Sequence, residues 1–157
     1  MEVRMIGTFQ EENGEQFIKI EERFRRGLKG IEEFSHLVVL WWFDQLDGEE
    51  YRSVLEMSKP YRKAPEVLGV FATRSPVRPN PIGSTVVEVT HCELEKGRIY
   101  VTYEDAFPGT PILDLKPYTP SIERVEQFEG PKWCSHWPQS FEKSGEFDWE
   151  QELISNS

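Results

Sequence analysis

Two arginines and three prolines share one short stretch, Gly69 to Ser84, GVFATRSPVRPNPIGS. Proline fixes its own φ and pushes the preceding residue toward extended backbone, so Ser75-Pro76, Arg78-Pro79 and Asn80-Pro81 read as a stiff, non-helical loop. Arg74, Ser75, Arg78 and Asn80 would then project from a rigid rim. A guanidinium already held in place loses little entropy on gripping a carboxylate or a phosphate, and that chemistry makes the loop a candidate binding site. A structural loop carrying two surface arginines has the same sequence signature.

Two further groups of polar residues stand at the ends of apolar runs. Asp44 and Gln45 follow Leu37 to Phe43, where they either present groups to a ligand at a barrel mouth or close a strand-ending turn. Asp114 and Lys116 lie two residues apart in AFPGTPILDLKPYTP and share a strand face, a pairing worth little in water. The three histidines, His36, His91 and His136, show no metal-ligand spacing such as i, i+4 on a helix, which disfavours a metal-assisted hydrolase. Cys92 and Cys134 form no CxxC pair, so reduced thiols are expected rather than a disulfide framework or a zinc site.

Strands must position these groups. Val3, Met5 and the Ile6-Gly7 step predict a first strand, and Phe17, Ile18 and Ile20 a second, joined at Asn13-Gly14. Glu21 to Leu28 has Phe24 and Leu28 at i and i+4 and predicts one or two helical turns with solvated arginines. The run Leu37-Val38-Val39-Leu40-Trp41-Trp42-Phe43 has the length of one buried strand, entered by a hydrogen-bonded His36. Residues 46–66 are polar, with Gly48, Pro60 and Pro65, and predict a loop excursion. Thr85 to Leu94 and Arg98 to Tyr103 form the clearest hairpin, turning at Glu95-Lys96-Gly97, with Cys92 facing inward and His91 exposed. Pro108 to Pro111 makes a tight turn into a strand from Ile112 to Leu115, ending at Lys116-Pro117-Tyr118. Beyond Pro120 the alternation is lost, and an acidic, aromatic segment follows.

The expected fold class is therefore mainly β: a small antiparallel β-barrel over residues 1–120 with short helical excursions, and an irregular C-terminal extension over 121–157 that packs on the barrel or at a partner interface. The length of 157 residues suits such a core, and 13% aromatic content favours strands over a helical bundle. A net charge of −10 excludes a protein that coats nucleic acid by charge alone. The charge is polarised, however: residues 52–78 carry six basic against two acidic side chains, and residues 121–157 carry eight acidic against three basic. No apolar run reaches the length of a membrane span, and the start MEVRMIGTFQEE has no signal-peptide core, so a cytoplasmic location is expected.

The motifs GVFATRSPVRPNPIGS and DAFPGTPILDLKPYTP, preceded by GLKGIEEFSHLVVLWWFDQ, resemble in their order the signatures of the TsaA-like family. The likeness spans about Met5 to Pro120. It implies a small β-barrel that binds S-adenosyl-L-methionine and methylates N6 of threonylcarbamoyladenosine beside the tRNA anticodon, acting as a homodimer with no metal. By matching position it implies cofactor contacts at Asp44, Gln45, Arg74, Ser84, Asp105, Ala106, Phe107 and Pro108. Ser75, Arg78, Pro79, Asn80, Asp114, Lys116 and Tyr118 are motif residues without an implied role, and no catalytic residue is implied. The first loop, TFQEENGEQ, lacks the family's Pro-Arg-Gln element, and Pro108 stands where the family has an acid. A non-enzymatic cofactor-binding or sensing module is the alternative. For a homodimer, Phe107, Trp133, Trp137 and Trp149 are the expected exposed anchors.

Overall fold

The computed structural model describes residues 1–102 and 106–154 and divides the chain into two compact units. The first comprises residues 1–47 and 80–124. It contains a closed barrel in which every neighbouring pair is antiparallel, in the order β1-β2-β7-β6-β3-β8. Its strands are β1 (Gly7–Glu12), β2 (Glu15–Ile20), β3 (His36–Trp42), β6 (Ile82–Glu93), β7 (Arg98–Val101) and β8 (Pro111–Pro117). Closure leaves no edge, and the inward residues Phe9, Ile18, Ile20, Leu37, Val39, Trp41, Val87, Ile99, Val101 and Ile112 form one core with Leu28.

The first hairpin turns at Asn13 (φ 54°) and Gly14 (φ 78°), the left-handed pair that an Asn-Gly turn provides. Its first strand starts later than the apolar residues suggested. Val3 and Met5 are exposed, and pairing begins at Gly7, where a Cβ would overlap the backbone carbonyl of Lys19. The predicted helical turns form a 3-10 segment, Glu22–Leu28, but Arg25 is not simply solvated: it donates to Glu95 O at 3.1 Å across the β6–β7 connection. In β3 the continuous apolar run does not mean two equivalent buried faces. Leu37, Val39 and Trp41 point into the barrel, whereas Leu40 and Trp42 are only half-buried. Strand β6 begins earlier than expected, so Ile82, Gly83 and Ser84 pair with Trp42, Trp41 and Leu40 and belong to the sheet rather than to the loop. Cys92 is half-buried against the core, and burial pushes its thiol pKa up. His91 is exposed and lies flat on the Tyr100 ring at 4.0 Å.

The second unit joins residues 48–79 to residues 125–157. Within it β4 (Glu56–Ser58) pairs with β5 (Val67–Gly69), and the later segment supplies the short helices Phe141–Ser144 and Trp149–Glu152. Tyr61 is the hinge pin of this packing. Its ring stacks on Trp133 at 5.4 Å and meets the edge of Trp137 at 4.9 Å, and Trp137 in turn packs on Trp149 at 5.4 Å. The three tryptophans are thus half-buried in one aromatic cluster and are not exposed anchors; Phe107 does stay exposed. Backbone bonds from Arg62 N to Glu152 O and from Ile154 N to Pro60 O stitch the two segments together. No helix of the described residues is long and apolar enough to cross a membrane.

Glu152 is buried in this cluster and accepts hydrogen bonds from His136 Nε2 at 2.9 Å and Trp137 Nε1 at 3.0 Å. Burial works to raise its pKa, but the bonds from His136 and Trp137 and the nearby charges of His136 and Lys63 outweigh it, and the net shift is below the usual 4.5. A lowered carboxylate pKa adds stability above its unfolded value, and that contribution fades as pH falls through the folded value. Glu152→Gln should therefore cost about 1–3 kcal/mol at neutral pH, with the gap from wild type closing below about pH 4. Thermal melts of both proteins across the acid range check this, and a gap independent of pH would assign the loss to shape rather than to charge.

Candidate cofactor pocket

Trp41 closes the inner row of β3, and the chain then leaves the barrel through Phe43 into a 3-10 turn, Asp44–Leu46. Two constraints fix this exit. Phe43 N donates to Pro81 O at 2.9 Å, so the buried second proline of the Pro-Asn-Pro element holds the strand end. The Phe43 ring packs on the Trp41 ring at 4.2 Å between centroids, while the Trp41 indole donates to Thr85 Oγ1 at 3.1 Å. Gly83 lies directly opposite Trp41, where only a glycine leaves room for the indole.

A pocket of about 240 Å³ opens here, lined by Trp41, Phe43, Asp44, Gln45, Leu46, Ala106, Phe107 and Thr110. Its far wall comes from the turn ahead of β8. Thr110 O accepts from Phe9 N at 2.9 Å, Gly109 N donates to Phe9 O at 2.8 Å, and Gly109 adopts φ 93°, so the turn is bound to β1. Two larger depressions, of about 350 and 730 Å³, are lined mainly by polar and charged residues and contain none of the motif residues. Size does not decide between them; the smaller pocket joins apolar walls to a few convergent polar groups, which is the pattern of small-molecule sites.

The structure thus brings Asp44, Gln45, Ala106 and Phe107 together from segments sixty residues apart in the chain. Pro108 lies exposed in the adjoining turn, and Asp105 falls outside the described residues. Ser84 is on β6 in register with Leu40, which is also in register with Asp114 of β8, so these two polar residues flank one outer position of the barrel. Asp114 pairs with Lys116 at 2.7 Å, and the hydrogen bond and charge of Asp114 raise the Lys116 pKa. Tyr118 packs its ring at 6.4 Å from His36, at the opposite end of β8 from the pocket. Trp41, Phe43, Leu46 and Thr110 also line the pocket but carry no site signal in the sequence, although Phe43 and Leu46 directly flank the Asp44-Gln45 pair.

Arg74, Ser75, Arg78 and Pro79 belong to the second unit. Arg78 does not project from a rim. Its Nη2 donates to Val70 O at 2.7 Å and to Thr73 O at 2.6 Å, so the guanidinium folds back and holds the loop's own carbonyls. The physical reason is the proline content: each proline removes an amide donor, and the carbonyls of this loop turn to side chains instead. Arg52 does the same at Pro79 O, at 2.9 Å. Ser75 is also used internally, its Oγ accepting from Val77 N at 3.2 Å. Arg74 and Asn80 remain exposed. Among the described residues no group of three or more His, Cys, Asp or Glu is placed to hold a metal ion.

Comparison with known proteins gives these features a context. Residues 7–124 match the family model described as the tRNA-methyltransferase O N-terminal domain. The chain is 42% identical over 113 residues to an S-adenosyl-L-methionine-binding protein of Archaeoglobus fulgidus, covering 72% of this chain and 76% of that one. It is 41% identical over 91 residues to the tRNA (adenine(37)-N6)-methyltransferase of Mus musculus, covering 58% of this chain but 20% of the mouse protein. The crystal structure of TrmO from Pseudomonas aeruginosa superposes with a TM-score of 0.62 at 28% identity, over 82% of this chain and 60% of the other. The chain therefore spans about three fifths of that solved protein. With the barrel, the paired Pro-rich motifs and the matched residues in agreement, the chain belongs to the family of the tRNA-methyltransferase O N-terminal domain.

Proposed function

We propose that this protein binds S-adenosyl-L-methionine in the Trp41–Thr110 pocket and methylates a tRNA, with N6 of threonylcarbamoyladenosine beside the anticodon as the target. The observation that carries this reading is the convergence of Asp44, Gln45, Ala106 and Phe107 on one apolar-walled pocket. The residues present suit such a ligand. Trp41, Phe43 and Phe107 offer aromatic faces to a purine or a sulfonium, and among the described lining residues Asp44 carries the negative charge that suits a cationic ligand. Asp44 and Gln45 would hold ribose hydroxyls or an ammonium group, and the aromatic walls would keep water from the reacting atoms. When bound, the sulfonium supplies a methyl carbon activated toward a nitrogen nucleophile. The protein's contribution is alignment of donor and acceptor, which needs neither a metal nor a covalent enzyme intermediate.

Titration calorimetry tests the pocket directly. Asp44→Ala should weaken S-adenosyl-L-methionine binding by about 1.5–3 kcal/mol, the range for a hydrogen bond to a charged group, while the thermal melt stays within a degree or two because Asp44 is exposed. Undiminished affinity would move the cofactor elsewhere. The second reading, a binding or sensing module without methyl transfer, is favoured by the absence of the Pro-Arg-Gln element from TFQEENGEQ. Mass analysis of tRNA incubated with protein and cofactor separates the two: a gain of one methyl group supports the enzyme, and binding without any gain supports the module.

A further inference from the structure

Thr110 is a polar residue in the wall of the pocket, yet it is only 5% exposed. Both of its backbone groups are engaged: Thr110 N donates to Phe107 O at 3.0 Å, and Thr110 O accepts from Phe9 N at 2.9 Å. Its side-chain hydroxyl makes no hydrogen bond among the described residues. A hydroxyl withdrawn from water without a partner costs free energy, and beside a cavity a ligand can supply the partner. The other buried polar group of this wall is already committed, since the Trp41 indole donates to Thr85 Oγ1.

The lining is graded in depth. Trp41 and Thr110 are buried, Phe43, Leu46 and Ala106 are half-buried, and Asp44, Gln45 and Phe107 are exposed. The volume of about 240 Å³ lies below the roughly 300–1,000 Å³ of sites that enclose most of a drug-sized ligand, so this pocket takes one end of its ligand and leaves the other outside. Charge decides which end enters. An ammonium or a carboxylate would lose its water against Trp41 and a neutral hydroxyl, whereas a purine loses little there and stacks on the aromatic walls. The exposed carboxylate of Asp44 suits the charged end at the mouth.

We infer that the purine of S-adenosyl-L-methionine enters the pocket and that the Thr110 hydroxyl binds its edge, with the methionyl end outside at Asp44. This rests on the cofactor reading above and adds to it the direction in which the ligand lies and a residue that fixes it. In this direction the sulfonium, which joins the two ends, stands at the opening, where a nitrogen of a large acceptor reaches its methyl group.

The test is titration calorimetry on the full chain with two probes, S-adenosyl-L-methionine and 5′-methylthioadenosine, which keeps the adenosine but lacks the charged methionyl end. Thr110→Val keeps the shape and removes the hydroxyl; Thr110→Ser keeps the hydroxyl. Thr110→Val should weaken both probes by the same factor, about threefold to tenfold for one lost hydrogen bond, and Thr110→Ser should stay within about twofold of wild type. Because the hydroxyl has no partner among the described residues, Thr110→Val should melt no lower than wild type, and a melt several degrees lower would assign the hydroxyl to the fold and overturn the inference. A loss confined to S-adenosyl-L-methionine, or a wild type that binds it but not 5′-methylthioadenosine, would place the charged end inside and overturn it too. Unchanged binding of both probes by Thr110→Val would overturn it while leaving the cofactor reading intact. A wild type that binds neither probe would remove the cofactor reading, and the orientation with it.

Discussion

Gly83→Ala is expected to melt about 10 °C below wild type and to lose most of its affinity for S-adenosyl-L-methionine. A Cβ at position 83 would lie 2.7 Å from both Cδ2 and Nε1 of Trp41, well inside van der Waals contact. The indole cannot easily retreat, because it is buried, bonded to Thr85 and packed against Phe43. Overpacking of this kind costs about 1–3 kcal/mol, and breaking the indole bond in a buried site adds about 1–3 more. At about 2–4 °C per kcal/mol for a chain of this size, the melt should fall by about 10 °C. The pocket is affected by the same displacement, since Trp41 is one of its walls. Circular dichroism melts and calorimetry measure both effects, and an unchanged melt would show that β6 moves aside without cost.

Arg78→Met should lower the stability of the second unit by about 2–4 kcal/mol, although the residue lies in a loop. Removing the guanidinium takes a donor from Thr73 O, whose residue is buried, and one of the donors from Val70 O. Neighbouring prolines cannot replace it, and a buried acceptor left without a partner costs about 1–3 kcal/mol. Arg78→Lys should recover only part of the loss, because a single ammonium does not reproduce the planar fork. Urea unfolding followed by tryptophan fluorescence reports on this unit through Trp133, Trp137 and Trp149. If Arg78→Met unfolds like wild type and is defective only in binding, Arg78 grips a ligand instead of its own loop.

Local chemistry explains which parts of the structure were readable from the sequence. The Asn13-Gly14 turn and the Gly97 turn require positive φ, and both appear where the sequence places them. The run into Trp42 makes a strand because nothing in it interrupts the β-branched and aromatic residues. The direction of the Arg78 side chain was not readable. It depends on two carbonyls turning inward, which no spacing of residue types encodes. Nor was the start of β1, where exposed Val3 and Met5 outweighed a glycine whose role appears only once Lys19 lies opposite. The aromatic cluster around Tyr61 was equally hidden, since it joins residues more than seventy positions apart. In the pocket, Asp44 and Gln45 could be placed by their position after an apolar run, whereas Thr110 enters through a backbone pairing with Phe9.

The interleaved connectivity of the two units bears on how the molecule is made. Every strand of the barrel has been synthesised once Pro117 has left the ribosome, so that unit has all its pairing partners early. Residues 48–79 emerge between the first three barrel strands and the other three, yet their partners in the second unit, Trp133, Trp137 and Glu152, are translated only after the barrel is complete. During elongation this segment must wait with Tyr61 uncovered, a nascent apolar surface of the kind that chaperones protect. The proline loop shortens that exposure's reach: the bonds of Arg52 to Pro79 O, of Thr73 Oγ1 to Val70 O and of Arg78 to Val70 O and Thr73 O all lie within residues 52–79, so this scaffold can set before the C-terminal aromatics arrive.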